Sequence, residues 1–292
     1  MMTRPKALKN SSKGWAAVLF ALALCTSGNA AASDGVQKMI YDVYAGGFRV
    51  VQADVTIDYS DPRHYGLFMG AATYGFLGKL APWHGTFETS GWILGDRLQP
   101  QLHRSSATWR GEEEIKSYNY TKKGGFKNLV IKDHDKPEEV QEIESDLTDG
   151  TTDALTAALS VFNTVANGGD CTGTSEVFDG ERRFEQIFTH VKRTELSASK
   201  YNIYGGPAVE CTVEIKPVAG GWSEKPRGWL SIQEQGRDRG MMPTVWLANV
   251  SDDGPAVPVK IRVKTAYGTL FMHLAQYETG GNMVVAEKRQ DN

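Results

Sequence analysis

Cysteine is scarce in this chain: three residues in 292, at Cys25, Cys171 and Cys211. None stands in a Cys-x-x-Cys pair and no histidine clusters with them, which argues against a thioredoxin-like redox centre and against a zinc site. The histidines are His64, His84, His103, His134, His190 and His273, and no two share ligand spacing on one element. His103 and His190 read as ordinary polar strand positions. Also missing are the Gly-x-Ser-x-Gly elbow, the Walker loop, His-Glu-x-x-His and the dinucleotide fingerprint. Ser197-x-x-Lys200 matches the opening pattern of penicillin-binding serine hydrolases. Its companion Ser-Asp-Asn and Lys-Thr-Gly motifs are absent, so chance explains it. Asp146, Asp149 and Asp153 miss the EF-hand spacing. No catalytic residue, no metal and no cofactor follows from any motif.

Long apolar runs are lacking too. The run from Trp15 to Cys25 is about half the roughly 20 residues of a spanning helix. It follows Arg4, Lys6, Lys9 and Lys13 and precedes the small residues of "SGNAAASD". That order predicts a secretory signal peptide over residues 1–32, cleaved after Ala30 or Ala32, and a single periplasmic domain over 33–292. Acylation of Cys25 is disfavoured by Leu24, where lipoprotein signals want a small side chain. No later stretch is apolar enough to span a bilayer. Four of the 32 basic residues precede the cleavage point and all 35 acids follow it, which leaves the mature chain at −7. An acidic balance argues against a nucleic-acid partner or an anionic membrane.

What is present is alternation. "RVVQADVTIDY" sets Val51, Ala53, Val55, Ile57 and Tyr59 against Gln52, Asp54, Thr56 and Asp58. "AVECTVEIKP" and "VPVKIRVKT" repeat the pattern through Val209, Cys211, Val213 and Ile215, and through Val259, Ile261 and Val263. One dry and one wet face point to antiparallel strands. Less regular strands are expected at 39–44, 65–74, 86–94, 101–109, 113–120, 127–132, 176–193, 228–234, 244–250 and 269–277. Short turns such as "AGG", "SDPR" and "SDDGP" separate many of them, as in a meander. Asp179-Gly180 is a hairpin turn or a bulge, and Arg182 and Arg183 beside it either pair with an anionic ligand or, the favoured reading, are edge arginines meeting solvent or surface acids. Residues 133–149, acidic and polar, read as an exposed linker or lid.

One segment has helical spacing. In "DGTTDALTAALSVFNTVANGG", Leu155, Ala158, Leu159, Phe162 and Val165 form a stripe, while Ala154, Ala157 and Val161 cover much of the rest. Thr151 or Thr152 is the expected cap, Asp153 complements the dipole, and Asn167, Gly168 and Gly169 stop the helix. A helix over 152–166 that is apolar nearly all round needs a curved sheet to cover it. Cys171 follows that helix and Cys211 lies on a dry strand face, so the pair is expected to form a structural disulfide in an oxidising compartment.

The aromatic and apolar surplus supplies the candidate site. "YGFLGKLAPWHGTF" and "GMMPTVWLANV" place large apolar side chains at turns and strand edges, where they finish a core or rim an opening for a greasy ligand. The residues expected to bind such a ligand are Phe76, Leu80, Trp83, Leu155, Leu159, Phe162, Trp229 and Trp246.

"YDVYAGGFRVVQADVTI", "ATYGFLGKL…W…G" and above all "DALTAAL…C…VFDGERRF" together resemble a family of exported bacterial proteins catalogued as domain of unknown function 3108. The resemblance covers nearly all of the chain after the signal. It implies a half-barrel similar to the lipoprotein-localisation carriers, whose curved sheet and helices enclose an apolar cavity, and it brings no catalytic residues.

The fold class read from the sequence is therefore mainly β: an antiparallel meander curled into an open or half-closed barrel around one buried helix. The leading expectation is a non-enzymatic periplasmic protein that binds a lipid or acyl chain and supports the cell envelope. The alternatives are a filled barrel that docks an envelope protein and, ranked last, an enzyme acting on envelope polymers.

Overall fold

The computed structural model describes residues 35–109, 111–225, 228–252, 254–265 and 268–290. Residues 1–32, expected to be a signal peptide and including Cys25, lie outside them. Seven strands come first: β1 (Val36–Ala45), β2 (Phe48–Asp58), β3 (His64–Thr73), β4 (Trp83–Leu94), β5 (Arg97–Trp109), β6 (Glu112–Tyr120) and β7 (Phe126–Asp133). A short helix, α1 (Gly75–Leu80), links β3 to β4. Then come β8 (Glu139–Gln141), the helical turn α2 (Ser145–Thr148) and α3 (Ala154–Ala166). The second half holds β9 (Gly173–Phe178), β10 (Arg182–Leu196), β11 (Gly206–Gly220), α4 (Gly228–Asp238), β12 (Thr244–Ala248), β13 (Val257–Thr265), β14 (Gly268–Thr279), β15 (Asn282–Val285) and α5 (Glu287–Gln290).

All these strands belong to one antiparallel sheet, ordered β8-β7-β6-β5-β4-β3-β2-β1-β14-β13-β12-β11-β10-β9, with β15 beside β14. Each half is a meander, and β1 joins the halves by pairing β14 from Gln37–Thr279 to Ala45–Leu270. Period-two patterning puts Met39, Tyr41, Ala53, Ile57, Tyr65, Leu67, Val209 and Cys211 on the dry face. The sheet ends, β8 and β9, are not paired with each other, so the barrel is open.

Helix α3 lies against this dry face. It touches β4 and β5 of one half and β9, β10 and β12 of the other, which requires the sheet to curl around it. Between Ala154 and Ala166 only Thr164 is exposed. Leu159, Phe162 and Val165 join Met39, Tyr41, Ile57, Leu247 and Leu274 in one core cluster. Each large side chain so buried contributes roughly 1.5–3 kcal/mol. The helix stops at Gly168, whose φ of +83° suits glycine. Arg193 Nη2 donates to the Gly168 and Gly169 carbonyls at 2.8 and 3.0 Å. Directly beyond, Cys171 is bonded to Cys211 of β11, with Cα atoms 6.3 Å apart.

A second cluster draws the sheet ends together through side chains. Tyr118 and Tyr120 of β6 and Leu129 of β7 meet Phe178 of β9, with Ile143 and Leu147 packed on them. The Tyr118 hydroxyl donates to the Asp179 carbonyl at 2.7 Å.

Four expectations need correction. The stretch 228–234 is not a strand but the start of α4. Strand β12 pairs β11 only from Val209 to Thr212, so the longer β11 runs on without it. Helix α4 packs on both β11 and β13 in that gap. There the buried Gln233 acts as a substitute strand residue: its Oε1 accepts from Ile215 N at 2.8 Å and its Nε2 donates to Ile215 O at 2.7 Å. Leu230 and Ile232 alternate like a strand, but Ile232 and Gly236 also fit helical spacing. Next, neither Thr151 nor Thr152 caps α3. Asp153 does, because Thr152 is drawn into a parallel bridge with Val177. Residues 133–149 are not a plain exposed linker, since they hold β8 and α2 and lend Ile143 and Leu147 to the second cluster. Lastly, 176–193 is two strands, with Asp179-Gly180 as a hairpin turn.

Candidate functional site

The expected ligand-binding residues fall in four places. Leu155, Leu159 and Phe162 stand on α3 and pack into the main core. Phe76 and Leu80 project from α1 into solvent, with Trp83 half-buried where β4 begins. Trp246 lies on the opposite face of the sheet, under the cations of Lys260 and Arg262. Trp229 is in α4, and its side chain lies outside the described residues. The structure thus does not gather these eight around one cavity.

The polar centre of the interior is Asp153, 1% exposed at the start of α3. One oxygen accepts from Leu155 N and Thr156 N at 3.0 and 2.9 Å. The other accepts from Thr156 Oγ1 at 2.5 Å and Thr89 Oγ1 at 3.1 Å. The Tyr65 hydroxyl bonds Thr156 Oγ1 at 2.7 Å. A side chain at Gly91 would collide with that Tyr65 phenol and with the Gln99 carbonyl, so glycine is needed there. His103 Nδ1 stands 3.5 Å from Asp153 but makes no hydrogen bond. Burial pushes the His103 pKa down, against the pull of Asp153. Both threonine hydroxyls donate to the carboxylate and neither to the imidazole. The arrangement secures the helix. No spacing in the sequence could have revealed it, because its members come from β3, β4, β5 and α3.

The second feature is apolar. At the end of the sheet where β1 turns into β2, Phe48 is 78% exposed, and α1 adds Phe76 at 76% and Leu80 at 67%. Tyr74 and Leu77 are exposed beside them, and Arg49 lies 3.7 Å below the Tyr74 ring. Helix α1 touches β2 and β3 and buries none of its own residues. Phe48 escaped the sequence reading, although it follows directly on the "AGG" turn.

The third feature is a crevice of about 410 Å³ on the face opposite α3, lined by Tyr44, Tyr201, Leu270, Phe271 and His273. The His273 ring stands about 6 Å from each of the Tyr44, Tyr201 and Phe271 rings. A larger depression of about 590 Å³ at the β5–β6 turn is open and mostly acidic, and its Lys136 pairs with Asp133. Among the described residues no group of three His, Cys, Asp or Glu could hold a metal, and no helix is long and apolar enough to cross a membrane.

No curated protein and no solved structure matches this chain. A family described as protein of unknown function (DUF3108) matches residues 40–275. That span runs from β1 into β14 and takes in the helix, the disulfide and the exposed apolar end, so the chain belongs to the DUF3108 family.

Proposed function

We propose that this is a non-enzymatic, periplasmic lipid-binding protein of the cell envelope, and that its apolar end is the surface that meets lipid. The observation behind this reading is that Phe48, Tyr74, Phe76, Leu77 and Leu80 are all exposed at the end of the sheet where the β1–β2 and β3–β4 connections lie. Exposed apolar patches of this kind mark interaction sites on otherwise soluble surfaces. Returning Phe48, Phe76 and Leu80 to an apolar medium would contribute roughly 5–9 kcal/mol before the cost of association. The signal-like residues 1–32 and the disulfide both suit an exported chain. In this reading Phe76, Leu80 and Trp83 meet the acyl region, and Leu155, Leu159 and Phe162 serve the core instead.

Flotation with zwitterionic phospholipid vesicles tests the proposal. The wild-type protein is expected to float, and a triple variant Phe48→Ser, Phe76→Ser, Leu80→Ser to stay at the bottom while keeping its thermal midpoint. A wild-type protein that does not float, or a triple variant that floats equally well, sinks it. A second reading, docking of an envelope protein, is favoured by the filled interior, where Leu159, Phe162 and Val165 are packed within the core. Crosslinking in the periplasm through a photoreactive residue at Phe76 separates the two: lipid adducts support the first and a single polypeptide adduct the second.

A further inference from the structure

Antiparallel partners share a face, so strand register places two rows of side chains on the surface opposite α3. One row is Trp246, Lys260, His273, Asp42 and Gln52. The row beside it is Thr244, Arg262, Phe271, Tyr44 and Arg49. Asp42, 2% exposed, is neutralised by Arg49 at 3.3 Å and Arg289 at 3.1 Å. Glu210 faces Trp246 from β11 and pairs with Lys192 at 3.8 Å. Neither Lys260 nor Arg262 forms an ion pair with a carboxylate among the described residues, although Glu210 lies near enough to attract Lys260. Their charges lie 5.1 and 5.2 Å from the same Trp246 ring, and Lys260 also stands 5.6 Å from the Phe271 ring. Arg262 donates Nη2 to Thr244 Oγ1 at 3.2 Å, while its buried Nε is unpartnered. The buried Nδ1 of His273 is unpartnered as well. Burial, and then the Arg262 charge, push the Lys260 amine below its ordinary value, against the pull of Glu210.

We propose that this face binds an oxyanion, phosphate or carboxylate, carried on a planar or apolar body: the anion sits on Lys260 and Arg262, and the body lies in the aromatic crevice of Tyr44, Tyr201, Phe271 and His273. The two cations lie outside the crevice lining, and Phe271, which lines it and stands 5.6 Å from the Lys260 amine, joins the two parts. A crevice of about 410 Å³ accommodates one or two rings. Aromatic walls alone would equally suit a quaternary ammonium ion. Lys260 and Lys200, whose amine lies 5.2 Å from the Tyr201 ring, repel a cation and select the anion. A local excess of positive charge on an acidic protein draws anions to this face.

Isothermal titration with phenyl phosphate and with inorganic phosphate tests the site. Phenyl phosphate is expected to saturate and to bind about tenfold more weakly to Lys260→Gln, the loss of one charge-assisted contact. Phe271→Ala should weaken phenyl phosphate and leave inorganic phosphate unchanged. In the wild-type protein the His273 ring protons should shift with phenyl phosphate and not with phenol, a readout that does not depend on a variant folding. Vesicle flotation identifies the source of the anion. A Lys260-dependent preference for phosphatidylglycerol over phosphatidylcholine assigns a lipid headgroup, and saturation by phenyl phosphate without that preference assigns a soluble ligand. If neither is seen, or if Lys260→Gln binds phenyl phosphate as the wild-type protein does, the proposal is overturned. The triple variant of the apolar end should still bind phenyl phosphate, so this site and the lipid reading fail separately.

Discussion

Asp153 accepts four hydrogen bonds, two from the first turn of α3 and two from hydroxyls of Thr156 and Thr89. Replacing it with alanine removes a helix cap, about 1 kcal/mol, and strands buried hydroxyls at roughly 1–3 kcal/mol more. Asp153→Ala should therefore lose about 2–4 kcal/mol in urea unfolding, with Asp153→Asn, which keeps the cap, in between. An alanine variant as stable as the wild-type protein would contradict this account of the interior. His273 makes a different prediction. Burial first, and Lys260 second, push its pKa down to about 4, with Asp42 opposing. The unfolded chain binds its proton near pH 6.5, before the folded protein does. Stability is complete above that value, falls as the pH drops towards about 4, and the loss is then finished. His103, depressed by its own burial, adds a slope of the same sign. Thermal midpoints of His273→Gln should accordingly decline less than those of the wild-type protein between pH 7 and pH 4.5, and parallel declines would refute the assignment.

At the scale of elements, strands of one wet and one dry face were legible because burial writes itself into period two. Val51 to Tyr59 lies almost entirely in β2, and Val209 to Ile215 and Val259 to Val263 fall in β11 and β13. Helix α3 was legible through Leu155, Leu159 and Phe162, although its cap moved from a threonine to Asp153. Helix α4 was not, because its place is set by a neighbour's length: β12 begins only at Thr244, opposite Thr212, and a helix carrying Gln233 occupies the gap beside the rest of β11. The apolar end was half legible. Phe76 and Leu80 were named for their size, whereas Phe48 becomes its companion only when the β1–β2 and β3–β4 connections meet. The two rows around Lys260 and His273 could not be read at all, since they depend on the register of strands far apart in sequence. Trp246 alone was singled out, without the cations that define its surroundings.

On the scale of the molecule, the Cys171–Cys211 bond fastens the exit of α3 to β11 and closes a loop of 40 residues. On the chain-entropy account such a loop contributes at most about 4 kcal/mol. Cys171→Ser paired with Cys211→Ser should lower the unfolding free energy by about 2–4 kcal/mol, and reductant should destabilise the wild-type protein and leave the double variant unaffected. A double variant whose stability matches the oxidised protein would show that core packing alone holds the helix. The bond joins only segments of the second half, whereas the two halves meet backbone to backbone where β1 pairs β14. The strand that is synthesised among the first must therefore wait for one among the last. Until some 230 intervening residues have followed, β1 offers an unsatisfied edge to any passing chain. Protection of that edge during synthesis thus becomes a requirement set by topology, and shortening the chain before β14 would leave an aggregation-prone fragment in place of a smaller protein.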